Sequence, residues 1–173
     1  SEQNGSKGLP YWFRLAAARG EFDKAIAFAQ DMTTRLPQFS SSWLMLGKGY
    51  QLKGASLLDQ HRDGEAKTAF EQSIQPLQMA LEKQTTNEEA VKSLINSYYA
   101  LNQKDDALRY IKLGQQRFPQ DSFFDDRYMQ HLQNFGNPED ALELRKVRVK
   151  NNPNDPMVAA QLAATYLQAA KYR

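Results

Sequence analysis

The sequence predicts an all-α fold, an array of antiparallel helix pairs, from a repeat period and from the apolar spacing within each repeat. Apolar and proline positions recur at a fixed step, as in the series Tyr98, Leu132 and Tyr166, the pair Ala107 and Ala141, and the pair Pro119 and Pro153. Inside one repeat, apolar residues fall on one face of a predicted helix, namely Val91, Leu94, Ile95 and Tyr98. A single helix pair cannot bury such a face alone, so the pairs are expected to stack.

The second repeat also carries a specific opening pattern. A Trp, then Leu-Gly, then Tyr stand at Trp43, Leu46, Gly47 and Tyr50. Together with the period of about 34 residues, this pattern resembles the tetratricopeptide repeat family. The resemblance implies a right-handed superhelix, in which the first helices of the repeats line a concave groove that holds an extended peptide or a partner helix. We expect Trp43 and Tyr50 to be core residues.

We predict a single array over residues 9–173, with about four and a half repeats, after a disordered leader at residues 1–8. The predicted repeats span residues 6–39, 40–87, 88–121, 122–155 and, as a partial repeat, 156–173. The opening residues have neither a start Met nor the apolar core of a signal peptide. Because the last repeat has no second helix in this sequence, we expect the chain to be a piece of a longer array.

The second repeat is longer than the others and contains an insertion. The residue that corresponds to Ala25 is Ser73, 48 positions later instead of 34. We predict that the extra residues add about two turns to each helix, since both helices must lengthen together for the hairpin to close in register. The turn then lies around residues 60–64. The alternative is a plain loop over residues 55–63 with the turn at Gly54.

Two second helices contain irregular positions. Pro76 is predicted to kink or split its helix, because proline removes a backbone donor and crowds the preceding turn. In the fourth repeat, Arg145 and Arg148 stand where the family has an aromatic and a small residue. The buried face of that helix is then expected to come from Leu144 and Val147.

The composition excludes several classes of protein. The formal charge of +2 over 173 residues is too small to imply nucleic acid or an anionic membrane surface by itself. The chain has no cysteine, so it has no disulfide framework, no thiolate metal site and no thiol nucleophile. No apolar run approaches the ~20 residues of a membrane span, so we expect a soluble chain, in a compartment that the sequence leaves open.

No enzyme site is predicted. His61 and His131 lie in different repeats, and neither has a second histidine at the spacing that builds a zinc face. We interpret His61 as a solvated turn residue and His131 as a packing or surface residue. Adjacent carboxylates such as Glu88 and Glu89 suit the first turn of a helix better than acid–base catalysis. We therefore expect no catalytic residue, no metal and no cofactor.

A candidate binding surface lies on the inner stripe of the first helices, offset from the packing stripe. Its predicted residues are Arg14, Leu44, Lys48, Gln51, Lys92, Asn96, Tyr99, Asp126, Gln130 and Gln133. This wall has amides that can hydrogen-bond to a peptide backbone, and its basic residues favour an acidic or amide-rich segment. Lys92 and Asn96 match the spacing with which some family members bind a terminal carboxylate. Three later positions depart from that pattern, so no such clamp is expected: Arg127, Met157 and Gln161.

The sequence thus favours a non-enzymatic protein–protein interaction scaffold whose partner is an extended or helical segment of another protein. Two alternatives stay open. One is a nucleic-acid-binding array, since basic residues cluster at Arg145, Lys146, Arg148 and Lys150. The other is assembly into homo-oligomers through the C-terminal helix, because part of its apolar face is expected to be open to water, at Leu162, Ala163, Tyr166 and Leu167.

Overall fold

The computed structural model describes residues 10–136, 138–151 and 153–170, and all regular secondary structure in these ranges is α-helix. The helices are α1 (Tyr11–Ala18), α2 (Phe22–Arg35), α3 (Ser40–Asp59), α4 (Asp63–Lys83), α5 (Glu88–Ala100), α6 (Lys104–Arg117), α7 (Ser122–Phe135), α8 (Pro138–Asn151) and α9 (Pro156–Ala170). The predicted all-α fold is confirmed. None of the described helices combines the length and apolarity needed to cross a membrane. The predicted leader at residues 1–8 lies outside the described residues.

The chain forms two compact bodies, which we call the N-terminal body (Ser1–Pro119) and the C-terminal body (Gln120–Arg173). The N-terminal body contains α1 to α6, and its helices pack in successive pairs, α1 on α2, α3 on α4 and α5 on α6. Each second helix also packs on the first helix of the next pair, α2 on α3 and α4 on α5. This is the stacking that the repeat period predicts. In the C-terminal body, α7 packs on α8 and α8 on α9.

The turns inside the three helix pairs of the N-terminal body share one geometry. Gly20, His61 and Asn102 have positive φ angles of 72°, 58° and 57°. Each of these residues donates its N–H to the carbonyl three residues earlier, over 2.9–3.0 Å. The next residue donates its N–H to the carbonyl five residues earlier, over 2.8–2.9 Å. These two bonds define the Schellman motif, which ends a helix with one residue in the left-handed region. His61 is exposed in its turn, as predicted.

The long second repeat extends both of its helices. Helices α3 and α4 have 20 and 21 residues, whereas α5 and α6 have 13 and 14, so each helix is seven residues longer. Seven residues are about two turns. The extended hairpin is therefore confirmed and the alternative loop is wrong, since Gly54 lies inside α3. A Cβ at Gly54 would lie 3.0 Å from the Phe70 ring, so the missing side chain lets α3 approach α4 closely.

The extended part of this hairpin has its own apolar cluster. Leu101, in the turn after α5, packs against the cluster, whose buried members are Leu57, Ala66, Ala69 and Phe70. On the other side, the Lys53 Nζ lies 2.6 Å from the Asp23 Oδ1 at the start of α2. The added turns are thus held by the preceding and the following helix pair. Helix α4 is continuous through Pro76, so the predicted split is absent and a kink there stays a prediction.

Trp43 and Tyr50 are half-buried, so neither is a fully buried core residue, but Tyr50 packs against a core cluster. The Trp43 Nε1 donates to the carbonyl of Pro37 at 2.8 Å, and the Tyr50 hydroxyl accepts from the Gln30 Nε2 at 3.1 Å. Each polar ring atom needs a partner or water, which keeps one edge of the ring near the surface. The buried cluster against which Tyr50 packs consists of Phe13, Ala25, Ile26, Ala29, Met45 and Leu46.

Among the described residues, the C-terminal body buries fewer apolar side chains than the N-terminal body does. Its buried residues in the described ranges are Phe124, Met129, His131, Ala141 and Thr165. Leu144 is half-buried, but Val147 is 53% exposed, so the expectation that Val147 lies on the buried face of α8 is wrong. Arg145 and Arg148 are half-buried on α8 instead. A long side chain can bury its aliphatic stem while its guanidinium keeps hydrogen bonds. This explains why the arginines are more buried than Val147.

Candidate functional site

The predicted groove residues of the second and third repeats lie on α3 and α5, which contact each other. We call the surface formed by Lys48 and Gln51 of α3 and by Glu89, Lys92 and Asn96 of α5 the α3–α5 face. Asn96 is exposed, and the other four side chains are half-buried. The structure therefore brings four of the predicted groove residues together with one acidic residue that was not among them.

The charges of the α3–α5 face are paired. Lys48 forms an ion pair with Glu89 across the two helices, and the side chains are 19% and 28% exposed. Lys92 pairs with Glu88 one turn earlier on α5. Partial burial protects such pairs from screening by salt better than full exposure does. Since each lysine has a carboxylate partner, the face carries little net positive charge.

Gln51 connects three helices through hydrogen bonds. Its Nε2 donates to the backbone carbonyl of Ser93 at 2.6 Å and to the Ser97 Oγ at 2.8 Å, both on α5. The Ser97 Oγ lies 2.7 Å from the Ser73 Oγ of α4. Lys48 pairs near the start of α5 and Gln51 pairs further along it, so α3 and α5 run parallel. The polar bonds fix their register.

The other predicted groove residues of the N-terminal body are placed differently. Leu44 and Tyr99 are half-buried and pack against an apolar cluster, so they contribute to the core as well as to a surface. The buried members of that cluster are Leu77, Leu94, Tyr98 and Ala107. Arg14 is exposed on α1, which packs on α2 and α3. Its side chain forms no hydrogen bond or ion pair with any residue that the structure describes.

The three groove residues predicted in the C-terminal body lie on α7. Asp126 is exposed, and its Oδ1 accepts from the Arg148 Nη1 at 3.0 Å. Gln130 is exposed. The Gln133 Nε2 donates to the Thr165 Oγ1 of α9 at 3.5 Å, at the long limit of a hydrogen bond. Two of the three therefore bond to other helices of the same body.

Sequence reasoning did not include the partners of the groove lysines and of Gln51. The pair of Glu88 with Lys92 has the i, i+4 spacing of a helical ion pair and could have been found from that signal. Glu89 belongs to a different repeat from its partner, and so does Ser97. Such pairs become visible only when two neighbouring repeats are aligned side by side.

The basic run of α8 does not form a uniform exposed surface. The Arg145 Nη1 donates to the Gln161 Oε1 at 3.0 Å, while its Nε is buried without a partner among the described residues. Burial, followed by the nearby Arg148, lowers the pKa of Arg145. Arg148 lies 3.0 Å from Asp126 and 3.5 Å from Asp125. Lys146 pairs with Glu143 at 2.6 Å, so three of the four cations of the run contact protein groups.

Two of the solved structures that resemble this chain are TPR proteins, whereas no family model and no curated protein matches it. One is the TPR protein TTC0263 of Thermus thermophilus, with 17% identity and a TM-score of 0.64, covering 95% of this chain and 82% of that one. The other is YrrB, a TPR protein described as having an unusual peptide-binding site, with 18% identity and a TM-score of 0.57, covering 91% of this chain and 74% of that one. The chain therefore has the tetratricopeptide-repeat fold.

Proposed function

We propose that the chain is a non-enzymatic protein-interaction scaffold that binds a segment of a partner protein on the α3–α5 face. The observation that carries this proposal is the set of polar side chains that the two parallel helices hold in fixed positions. Lys48 and Gln51 are bonded across the helices, and Asn96 is exposed beside them. Prior fixing of side chains lowers the entropic cost of binding. The peptide-binding site described for YrrB supports the same use of the fold.

The paired charges change the expected chemistry of the partner. The sequence favoured an acidic or amide-rich segment because of Arg14, Lys48 and Lys92. Both lysines are balanced by glutamates, so an acidic ligand would have to compete with carboxylates that are already in place. A neutral segment rich in amides is therefore the favoured partner.

Charge reversal on the face tests this proposal. The probe is a peptide selected against the chain from a displayed random library, with its affinity measured by calorimetry. Replacing Lys48 and Lys92 together by Glu would gather four carboxylates on the face, and we expect affinity to fall at least about tenfold. The matched control replaces Lys67 and Lys83, exposed on α4, by Glu and makes the same change in net charge. Equal affinities of the two double variants would move the site away from the α3–α5 face.

Self-assembly is a second candidate function, favoured by the exposed surface of α9. This helix has no charged residue from Pro156 to Ala170, and its exposed side chains include Met157 (67%), Tyr166 (47%) and Leu167 (69%). Such a patch commonly marks an interface or a tendency to associate. We expect light scattering to show association that depends on concentration and that Leu167→Glu abolishes. A monomer at every concentration would exclude this function.

A nucleic-acid-binding array is the less supported alternative. Of its basic run, Arg145 and Arg148 are bonded to protein groups, which leaves Lys146 and Lys150 as the exposed members. Lys146 in turn lies 2.6 Å from Glu143. A phosphate-binding surface would lose affinity steeply with salt, so binding to single- and double-stranded oligonucleotides at two salt concentrations tests it.

A further inference from the structure

The orientation of the Gln51 side-chain amide is determined by its surroundings. The carbonyl of Ser93, 2.6 Å away, can only accept a hydrogen bond, so the Gln51 atom that faces it must be the nitrogen. A flipped amide would place two oxygens against each other. The serine hydroxyls are consistent with this orientation. The Ser73 hydroxyl donates its hydrogen to the carbonyl of Phe70 at 2.6 Å, so in the bond between the two serines Ser97 must be the donor. Ser97 then accepts from Gln51.

Both amide hydrogens of Gln51 are thus used within the protein, and its carbonyl oxygen points the other way. The Oε1 has no hydrogen bond to any residue in the described ranges, and it is not among the buried polar atoms that lack a partner. It is therefore open to solvent. Gln51 presents to the α3–α5 face a hydrogen-bond acceptor whose direction is set before any ligand arrives.

The same arrangement recurs in the C-terminal body. Gln51 is the twelfth residue of α3 and bonds to Ser97, the tenth residue of α5. Gln133 is the twelfth residue of α7 and bonds to Thr165, the tenth residue of α9. Thr165 donates its own hydrogen to the carbonyl of Gln161 at 2.9 Å, so it accepts from the Gln133 Nε2. The Gln133 Oε1 is likewise bonded to no described residue.

We infer that the outward carbonyl oxygen of Gln51 accepts a backbone N–H group of the bound segment, and that the segment is extended. This inference rests on the proposed function. In a helix, the backbone N–H groups beyond the first turn are already bonded to carbonyls of the same helix. An extended chain has free N–H groups along its length, so it can satisfy a fixed acceptor on the groove wall. Gln51 thus selects the conformation of the partner.

The orientation is tested first, without a ligand, by amide-proton exchange of the glutamine side chains in NMR spectra. We expect the Gln51 side-chain protons to exchange more slowly than those of Gln72, which is exposed on α4. The substitution Ser97→Ala should accelerate exchange at Gln51 and leave Gln133 unchanged. Exchange at Gln51 as fast as at Gln72 would overturn the inference.

The recognition of N–H groups is tested with the library-selected peptide and variants of it that are N-methylated at one backbone position at a time. Methylation at the position that faces Gln51 should weaken binding about fivefold to tenfold, the value of one hydrogen bond. That penalty should disappear in the Gln51→Leu variant and persist in the Gln72→Leu control.

The possible outcomes separate this inference from the proposed function. A peptide that binds the α3–α5 face with no methylation penalty that depends on Gln51 overturns the inference alone. So does a bound peptide that is helical by NMR. If no library peptide binds, the proposed function falls and the inference falls with it.

Discussion

The hairpins α5–α6 and α7–α8 have similar helix lengths but different interiors. The buried residues of α6 are Ala107, Ile111 and Gly114. One repeat period further along the chain, the corresponding positions of α8 are Ala141, Arg145 and Arg148. Ala141 is buried, whereas the two arginines are half-buried. One repeat position can therefore hold a fully buried isoleucine in one hairpin and a cation in the other.

The difference shows what the fold requires at these positions. Ile111 is fully buried and apolar, so its side chain contributes by filling the space between the helices. Arg145 fills the corresponding position with its stem, but it loses hydration and leaves its Nε without a partner in the described residues. We expect the α7–α8 hairpin to be the less stable of the two, and to open first in hydrogen exchange.

The strongest test of this difference exchanges the residues at the two corresponding positions. The first substitution is Ile111→Arg. This substitution would place a charge at a position where Ile111 is fully buried. We expect the free energy of unfolding to fall by about 4 kcal/mol or more, measured by urea denaturation followed by circular dichroism. Ile111→Val, which keeps the apolar character, should cost only about 1 kcal/mol. A loss below about 1 kcal/mol for the arginine variant would show that the two hairpins are equivalent.

Periodicity in the sequence predicted the fold because the same spacing acts within each repeat. The displacement of Ser73 from the regular period correctly implied two equal helix extensions, since only equal extensions restore the hairpin register. The sequence did not predict which side of α8 is buried. Val147 is apolar but exposed, while Arg145 is charged but half-buried, because packing depends on the stem of the arginine and on the neighbouring Gln161.

The candidate site was predictable as a set of positions but not as a set of interactions. Lys48, Gln51 and Lys92 were assigned to the inner stripe from their helical spacing. That Lys48 is neutralised by Glu89 depends on how two repeats are aligned, and this alignment is a property of the packed structure. The orientation of the Gln51 amide depends on a backbone carbonyl, to which the amino-acid sequence gives no direct access.

The reverse exchange, Arg145→Ile, should have a smaller effect of the opposite sign. It introduces the residue type that α6 has at this repeat position and relieves the desolvation that lowers the pKa of Arg145. It also removes the Nε, which has no partner among the described residues. Replacing a poorly paired, partly buried charge by an apolar residue is often stabilising, and we expect a gain of about 1 kcal/mol in the free energy of unfolding. Lys150→Ile, at an exposed position of the same helix, is the control and should give no gain. A net loss for Arg145→Ile would show that its bond to Gln161 outweighs the desolvation.

The smallest expected effect concerns Arg148 of α8, which lies one repeat period after Gly114 of α6. Its side chain is 23% exposed and lies between Asp125 and Asp126, whose side chains are 52% and 55% exposed. Carboxylates with this exposure keep most of their hydration, so the pairs are worth at most about 1 kcal/mol. Arg148→Met keeps the stem and removes the charge, and its destabilisation should therefore be below about 1 kcal/mol at low salt. At about 1 M salt the screening length is near 3 Å, so most of the difference from the parent chain should vanish.

The matched control for Arg148 is Arg109→Met on α6. Arg109 pairs with Asp106 within a single helix at 3.1 Å, with 65% and 43% of the two side chains exposed. The loss of unfolding free energy in Arg109→Met should be smaller than in Arg148→Met, because an exposed pair within one helix contributes only about a few tenths of a kcal/mol. If Arg148→Met instead destabilised by several kcal/mol at both salt concentrations, the α7–α8 hairpin would depend on a buried cation, and charge would there take the structural part that apolar packing takes in α5–α6.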